Sequence, residues 1–395
     1  MSNDSPSPRR RATMLAHAGR EHTCHGEVNP PVHRASTMLA RSLAEYESGQ
    51  RPYTYGTHGT PTTRALEETM AAIEGAHSCR LAPSGLLAIT ATLMALTASG
   101  GEVLVPDAVY GPTRRFMDER MARFGVAVRY YPPRAGAGEI DALINENTAV
   151  LFLESPCSNT MEIQDVPALA AAARRRGVVS VIDNTWSAGW YFNALEAGCD
   201  ISIQAATKYQ CGHSDVLMGA VCYSEGMAPA IEAAWRDLGI CVDGDSAYLV
   251  LRGLRTMDVR LSRHMRNAIE VARWLEERPE VERVLHPALP SSPDHQLWKR
   301  DFTGAPGLFS FVLAGPLAEE AVHAFVDSLK LFGIGASWGG YESLILRFDP
   351  RPYGLRSVEQ WPHDHRFLRV HVGLEDPSDL VDDLQQAFER MKEAT

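Results

Sequence analysis

The strongest constraint on the fold is an alternation running from about residue 75 to about 225, in which short apolar or β-branched runs are separated by helical stretches. The runs are 103–105 (VLV), 126–130 (VAVRY), 149–153 (AVLFL), 178–182 (VVSVI), 201–205 (ISIQA) and 217–223 (LMGAVCY). Short apolar strands alternating with helices make a mainly parallel sheet covered on both faces. One intervening stretch, 166–177 (VPALAAAARRRG), has Pro167 near its start and Gly177 as its stop. Ahead of the alternation, Thr60-Pro61 offers an N-cap and a first-turn proline. Leu66, Met70 and Ile73 then share one face until Gly75 ends the helix. The fold class is therefore α/β.

Around this core the texture changes. Residues 1–60 are rich in Ser, Pro, Arg, Thr and His with little periodicity, which predicts an extended arm lying on another surface. Residues 252–278 have the length and the Leu261, Met265, Ile269 spacing of one long helix. Beyond it, strands are expected at 308–313, 343–348 and 368–372, with helices at about 317–329 and 377–392, a smaller α+β domain. The expected organisation is an arm over 1–60, an α/β domain over 61–253 and a C-terminal α+β domain over 254–395.

Charge and cysteine usage narrow the function classes. Thirty-eight basic against 49 acidic residues give a formal charge of −11, which repels a phosphate backbone, so nucleic acid is not an expected partner. The longest apolar stretch, 86–98, is interrupted by three threonines and is shorter than the roughly 20 residues of a bilayer span, so no membrane segment is expected. No apolar stretch follows the basic N-terminus, so the expected compartment is the cytoplasm. The seven cysteines have no C-x-x-C pair and suggest neither a disulfide framework nor a zinc site. No metal site is expected. A G-x-G-x-x-G motif after the first strand is lacking, which disfavours a dehydrogenase.

In such a sheet, ligands sit beyond the carboxyl ends of strands. Four places qualify. The sequence APSG at 82–85 either presents backbone N–H groups to an anion or is simply a turn and cap before the helix near Leu86. Tyr110 could stack on a flat ligand or be a half-buried loop tyrosine. Asp183 closes an apolar strand and either caps the next turn or meets a buried cation. Lys208, after the strand ISIQA, is not placed like a solvated charge. Partial burial would depress its pKa and free an amine able to form a Schiff base. A phosphate cradle, a stacking ring, an acid and a lysine in this order match the contacts of pyridoxal 5′-phosphate.

With those residues in hand, a resemblance becomes specific. SVIDNTWSAGWYF (180–192) and AATKYQCGHSD (205–215) resemble signature segments of the Cys/Met-metabolism family of fold-type I pyridoxal-phosphate enzymes. YGTHGTPTTRALE (55–67), APSGLLA (82–88), DAVYGPT (107–113), ESPCSNTMEI (154–163), RGLRT (252–256), SWGGYESLILRFDPR (337–351) and FLRVHVGLED (367–376) are similar to family segments in the same order, covering about 40–390. The resemblance implies a fold-type I architecture with a mainly parallel seven-stranded sheet. It also implies that Lys208 binds the cofactor aldehyde, Asp183 meets the ring nitrogen, Tyr110 stacks on the ring and helps proton traffic, and Gly85, Leu86 and Thr207 hold the phosphate. Tyr55 would reach the phosphate of a neighbouring subunit, giving a homotetramer of active-site-sharing dimers. Arg369 would bind the substrate α-carboxylate, flanked by Ser337 and Trp338, although an arginine in FLRVHVG could equally be an edge-strand charge.

Within the family, GHSD, DNTW, ESP with TME following, and Trp338 are most similar to the β-lyase branch. That implies β-elimination of L-cystathionine to homocysteine, pyruvate and ammonia, a step of methionine biosynthesis. A lyase acting on cysteine or cysteine conjugates, a γ-replacement transferase, and a binding or regulatory protein without turnover are the alternatives. One departure stands out: where the family commonly has Arg two residues after the phosphate-binding Tyr, this chain has Thr57, with His58 beside it. Neither replaces a bidentate guanidinium, and Arg51 or Arg64 would have to compensate.

Overall fold

The computed structural model describes residues 10–348, 356–358 and 364–394. The first nine residues of the arm and the last three of SWGGYESLILRFDPR lie outside that set. Seven strands form the larger sheet: β1 (Ser78–Ala82), β2 (Glu102–Pro106), β3 (Ala127–Tyr131), β4 (Thr148–Glu154), β5 (Val179–Asp183), β6 (Ile201–Gln204) and β7 (Gly219–Tyr223). Their order is β1-β7-β6-β5-β4-β2-β3, and β7 alone runs against its neighbours. All the others run parallel, so the carboxyl ends of β1, β2, β4, β5 and β6 share one edge of the sheet. Five further strands, β8 (Val281–Leu285), β9 (Leu308–Leu313), β10 (Gly333–Ile334), β11 (Leu344–Arg347) and β12 (Phe367–His371), form a second sheet ordered β10-β11-β12-β9-β8.

Local signals explain most elements. The Thr60 hydroxyl accepts the Thr63 N–H and the Thr63 hydroxyl accepts the Thr60 N–H, closing a capping box on the helix Pro61–Glu74, which Gly75 ends in the left-handed region. Ser84 caps the helix Gly85–Leu96 through the Leu87 N–H. The second sheet buries Phe309 and Phe311 against Phe325 and Phe388 from the helices Glu319–Ser328 and Pro377–Glu393. Each such ring contributes about 1.5–3 kcal/mol by leaving water.

Three expectations need correction. The segment 252–278 is not one helix: helices Gly244–Leu254 and Met257–Glu276 are parted at Arg255 and Thr256. The Gly253 carbonyl is taken by the Arg260 guanidinium at 2.8 Å and the Thr256 N–H at 3.2 Å, and Arg260 also reaches the Tyr209 carbonyl at 2.8 Å. The bend thus packs the break over the turn that follows Lys208. The N-terminal segment is not extended throughout, because Arg11–His17 and Leu43–Ser48 are helical and Leu15 is buried in the core. Arg11 pins the first of these by donating to the carbonyls of Ile73, Gly189 and Trp190. Finally, β12 is the central strand of its sheet, so Arg369 is not an edge-strand charge. Of the cysteines, Cys24 and Cys241 are exposed and the other five are buried. Among the described residues, no helix is long and apolar enough to cross a membrane.

Candidate active site

Residues following five strand ends converge on one cavity of about 380 Å³. Ser84 and Gly85 follow β1, Tyr110 follows β2, Glu154 and Asp183 end β4 and β5, and Thr207 and Lys208 follow β6. The second sheet closes the space with Ser337, Trp338 and, from β12, Arg369. The Trp186 indole N–H donates to the Leu308 carbonyl at 3.0 Å, fastening the two sheets at the cavity wall.

One end of the cavity is built for an anion. Ser84 takes up the N–H groups of Leu87, through its hydroxyl at 3.1 Å, and of Ala88, through its carbonyl at 3.0 Å. The Gly85 and Leu86 N–H groups have no acceptor among the described residues, and both residues line the cavity. They stand at the positive end of a 12-residue helix. A side chain at 85 would put its Cβ 2.6 Å from that of Ala205, so only glycine lets this turn sit so close to the β6 end. The Thr207 hydroxyl is oriented here by the Met218 N–H at 2.9 Å.

The cavity also carries acid. One oxygen of the Asp183 carboxylate accepts the Thr185 N–H at 3.0 Å and the Thr185 hydroxyl at 2.5 Å, and the same hydroxyl accepts the Ala205 N–H at 2.9 Å. Thr185 therefore locks the end of β5 to the turn that carries Lys208. The second Asp183 oxygen has no hydrogen-bond donor among the described residues. Burial raises the Asp183 pKa, opposed by the Thr185 hydrogen bonds and the Lys208 charge. Glu154 lies nearby and holds the Tyr110 N–H at 2.8 Å. Burial first, then the Asp183 charge, pushes Glu154 well above the usual carboxylate range.

The Lys208 amine lines the same cavity. Burial and the Arg369 charge lower its pKa to about 8 against the opposing pull of Asp183. Its Nζ donates to the Ser337 hydroxyl and lies 5.0 Å from the centre of the Trp338 ring. Ser337 adopts a φ of 78°, a conformation that costs backbone energy in a non-glycine residue and here aims the hydroxyl at the amine. Two residues on, Gly339 is left-handed at φ 89°, and a Cβ there would lie 2.9 Å from the Lys208 carbonyl carbon. The Arg369 guanidinium donates to the Ser337 carbonyl at 3.3 Å, and no carboxylate pairs with it among the described residues. It is a partly buried cation lining the cavity with no acidic partner among the described residues, which suits it to bind an anion.

All the expected site residues except Tyr55 line this cavity. Tyr55 is 48% exposed, and its neighbours Thr57 and His58 line a separate cavity of about 310 Å³ with Arg80, Glu232 and Trp235. Within one chain, Arg64 pairs with Glu67 at 3.2 Å and Arg51 donates to the Met38 carbonyl at 3.0 Å. The sequence reading assigned no role to Glu154 or Thr185, although both lie in segments it singled out: ESP carries the first and DNTW the second.

The family model for Cys/Met metabolism PLP-dependent enzymes matches residues 12–389. The chain belongs to that family. A relative from Rhizobium johnstonii described as a putative cystathionine beta-lyase is 49% identical over 380 residues, covering 95% of each chain. A cystathionine beta-lyase of Escherichia coli is 42% identical over 390 residues, covering 96% of this chain and 98% of its own. The crystal structure of cystathionine gamma synthase from Xanthomonas oryzae pv. oryzae in complex with cystathionine aligns with a TM-score of 0.92 at 30% identity, covering 98% of this chain and 100% of that one. The family's cofactor, pyridoxal phosphate, fits the residues present. Unclaimed amides at a helix N-terminus suit its phosphate, the free Asp183 oxygen suits the N–H of its protonated ring, and the amine with lowered pKa suits its aldehyde.

Proposed function

We propose that the protein is a pyridoxal-phosphate-dependent carbon–sulfur lyase that cleaves the β carbon–sulfur bond of L-cystathionine. The observation that carries this reading is the Lys208 amine, lowered to about 8, between the Asp183 carboxylate and the unpaired Arg369 guanidinium in one cavity. The relatives described as cystathionine beta-lyases support the choice of substrate.

When bound, the cofactor supplies an aldehyde carbon and a cationic ring that draws electrons from the substrate α-carbon. Asp183 holds the ring nitrogen protonated, Gly85, Leu86 and Thr207 hold the phosphate, and Tyr110 covers the ring. Arg369 grips the α-carboxylate, with Ser337 and Trp338 shaping that side. Lys208 holds the cofactor until substrate arrives. Its freed amine then takes the α-proton and hands a proton to the departing sulfur. One water is consumed, and homocysteine, pyruvate and ammonia leave.

Tyr55 completes the site from a second copy of the chain. The exposed Leu39, Leu43 and Tyr46 of the same segment are the apolar surface that such a copy would cover. The assembly is a homotetramer of site-sharing dimers, working in the cytoplasm.

Purified protein given L-cystathionine should release pyruvate and homocysteine. Release of 2-oxobutyrate would move the cleavage to the γ side and overturn the reading, and turnover of L-cysteine alone would make it a cysteine lyase. Arg369→Lys keeps the charge but loses the two-pronged grip, so KM should rise about tenfold with kcat less affected. An unchanged KM would remove Arg369 from substrate binding.

A further inference from the structure

A buried acid outside the cavity ties together the two strands that carry the reacting pair. Glu74, the last residue of the helix Pro61–Glu74, is fully buried. One of its carboxylate oxygens accepts from the Asn184 amide at 3.2 Å, the Ser202 hydroxyl at 2.8 Å and the Gln204 amide. Asn184 directly follows Asp183. It is held further by the Phe192 carbonyl at 3.0 Å, by its own N–H on the Ile203 carbonyl at 2.9 Å and by the Ser187 hydroxyl at 2.6 Å. Gln204 ends β6, four residues before Lys208, and its side-chain oxygen accepts from the Gln210 side-chain amide at 3.0 Å. Ser202 and Gln204 alternate with Ile203, which lines the cavity, so Glu74 works from the opposite face of the sheet.

The other Glu74 oxygen is buried without a hydrogen-bond partner. Burial raises the Glu74 pKa, and the bonds from Ser202, Gln204 and Asn184 oppose that rise. The Ala194 backbone N–H and the Arg11 charge also favour the carboxylate, but a buried acid is a poor source of stability, since an apolar side chain of similar size would be desolvated at lower cost. Its geometry has a different use.

We propose that Glu74 is a positioning residue that fixes the separation of Asp183 and Lys208 by holding Asn184 and Gln204 on one oxygen. The proposal rests on the roles assigned above to Asp183 and Lys208. Besides Asp183, the charged or titratable groups acting on the amine are Arg369 and His371, and Glu74 touches neither.

The test uses cofactor-loaded protein and reads the pH midpoint of its visible absorbance, which reports the environment of the amine, beside kcat, KM and the melting temperature. Asn184→Ala and Gln204→Leu should each move the midpoint by about one pH unit. They should also lower kcat about tenfold with KM within about twofold, as a small misplacement of reacting groups does. Ser202→Ala removes a comparable bond that touches neither strand end. It should lower the melting temperature and leave the midpoint in place. Glu74→Gln keeps an accepting oxygen and should retain the parent midpoint. Unmoved midpoints in both Asn184→Ala and Gln204→Leu, or an equal shift in Ser202→Ala, would reduce Glu74 to a structural role. Lys208→Ala separates this from the underlying assignment: a variant that keeps the parent absorbance would overturn the role of Lys208, whereas its loss beside unmoved midpoints would overturn the proposal alone.

Discussion

Lys208→Ala is expected to abolish pyruvate release and to strip the visible absorbance of covalently held cofactor, while the protein stays folded. The fold survives because the amine contributes nothing to the core: its polar contact is the Ser337 hydroxyl, and it lies over the Trp338 ring. Removing the group that both holds the cofactor and moves the proton should cost at least about 10⁴-fold in kcat, the upper end for a general base alone. The parent protein has a matching pH signature. With an amine pKa of about 8, cofactor-stripped protein should recapture pyridoxal phosphate faster as pH rises, because the neutral amine is the nucleophile. The neutral fraction grows from about a tenth at pH 7 to about nine-tenths at pH 9, so the rate should climb about tenfold and then level off. A rate still rising steeply beyond pH 9 would mean that the cavity does not perturb the amine.

Asp183→Asn is the second large effect. The substitution keeps the shape, and the side-chain carbonyl can still accept from Thr185, so cofactor binding and fold should persist. What disappears is the charge that keeps the ring nitrogen protonated, in a place where burial makes that charge count. Loss of one partner of a buried ion pair costs about 3–5 kcal/mol, so kcat/KM should fall by roughly 10²–10⁴-fold. Steady-state kinetics with the loaded variant check this. A fall of only a few-fold would overturn the proposed contact between Asp183 and the ring nitrogen.

The residues most legible in the sequence were those at the ends of strongly apolar strands. VVSVI and ISIQA announce β5 and β6, and Asp183 and Lys208 then stand out because a charge directly after such a run is unusual. Strands with charged or short sequences were not recognised. In β1 (SCRLA) the arginine reads as a surface residue, yet it lies partly buried between Glu67 and Glu232. In β8 (VERVL) the charges face outward from a sheet edge, and β10 has only two residues. Thr185 could be read only as part of a motif, since its importance lies in joining Asp183 to Ala205 across the gap between two strands. The helix break at Arg255 has no proline to announce it, only Thr256 ahead of Asp258 as a weak N-terminal signal, and the Arg260 guanidinium that takes the Gly253 carbonyl comes from the following helix. Tyr55 lies outside the cavity of its own chain, and its proposed role depends on a second copy.

The close approach of Gly339 to the Lys208 backbone has a consequence for selectivity. It packs the loop whose carbonyl Arg369 grips directly against the strand-end lysine, so on the proposed reading each amino acid would be presented with its carboxylate and α-hydrogen in the same register. On that reading, discrimination then falls to the other residues that line the cavity, Ser158 and Asn159 among them. Changing what the enzyme prefers to cut is thus a matter of recarving that lining, while the register of the reacting carbon stays fixed.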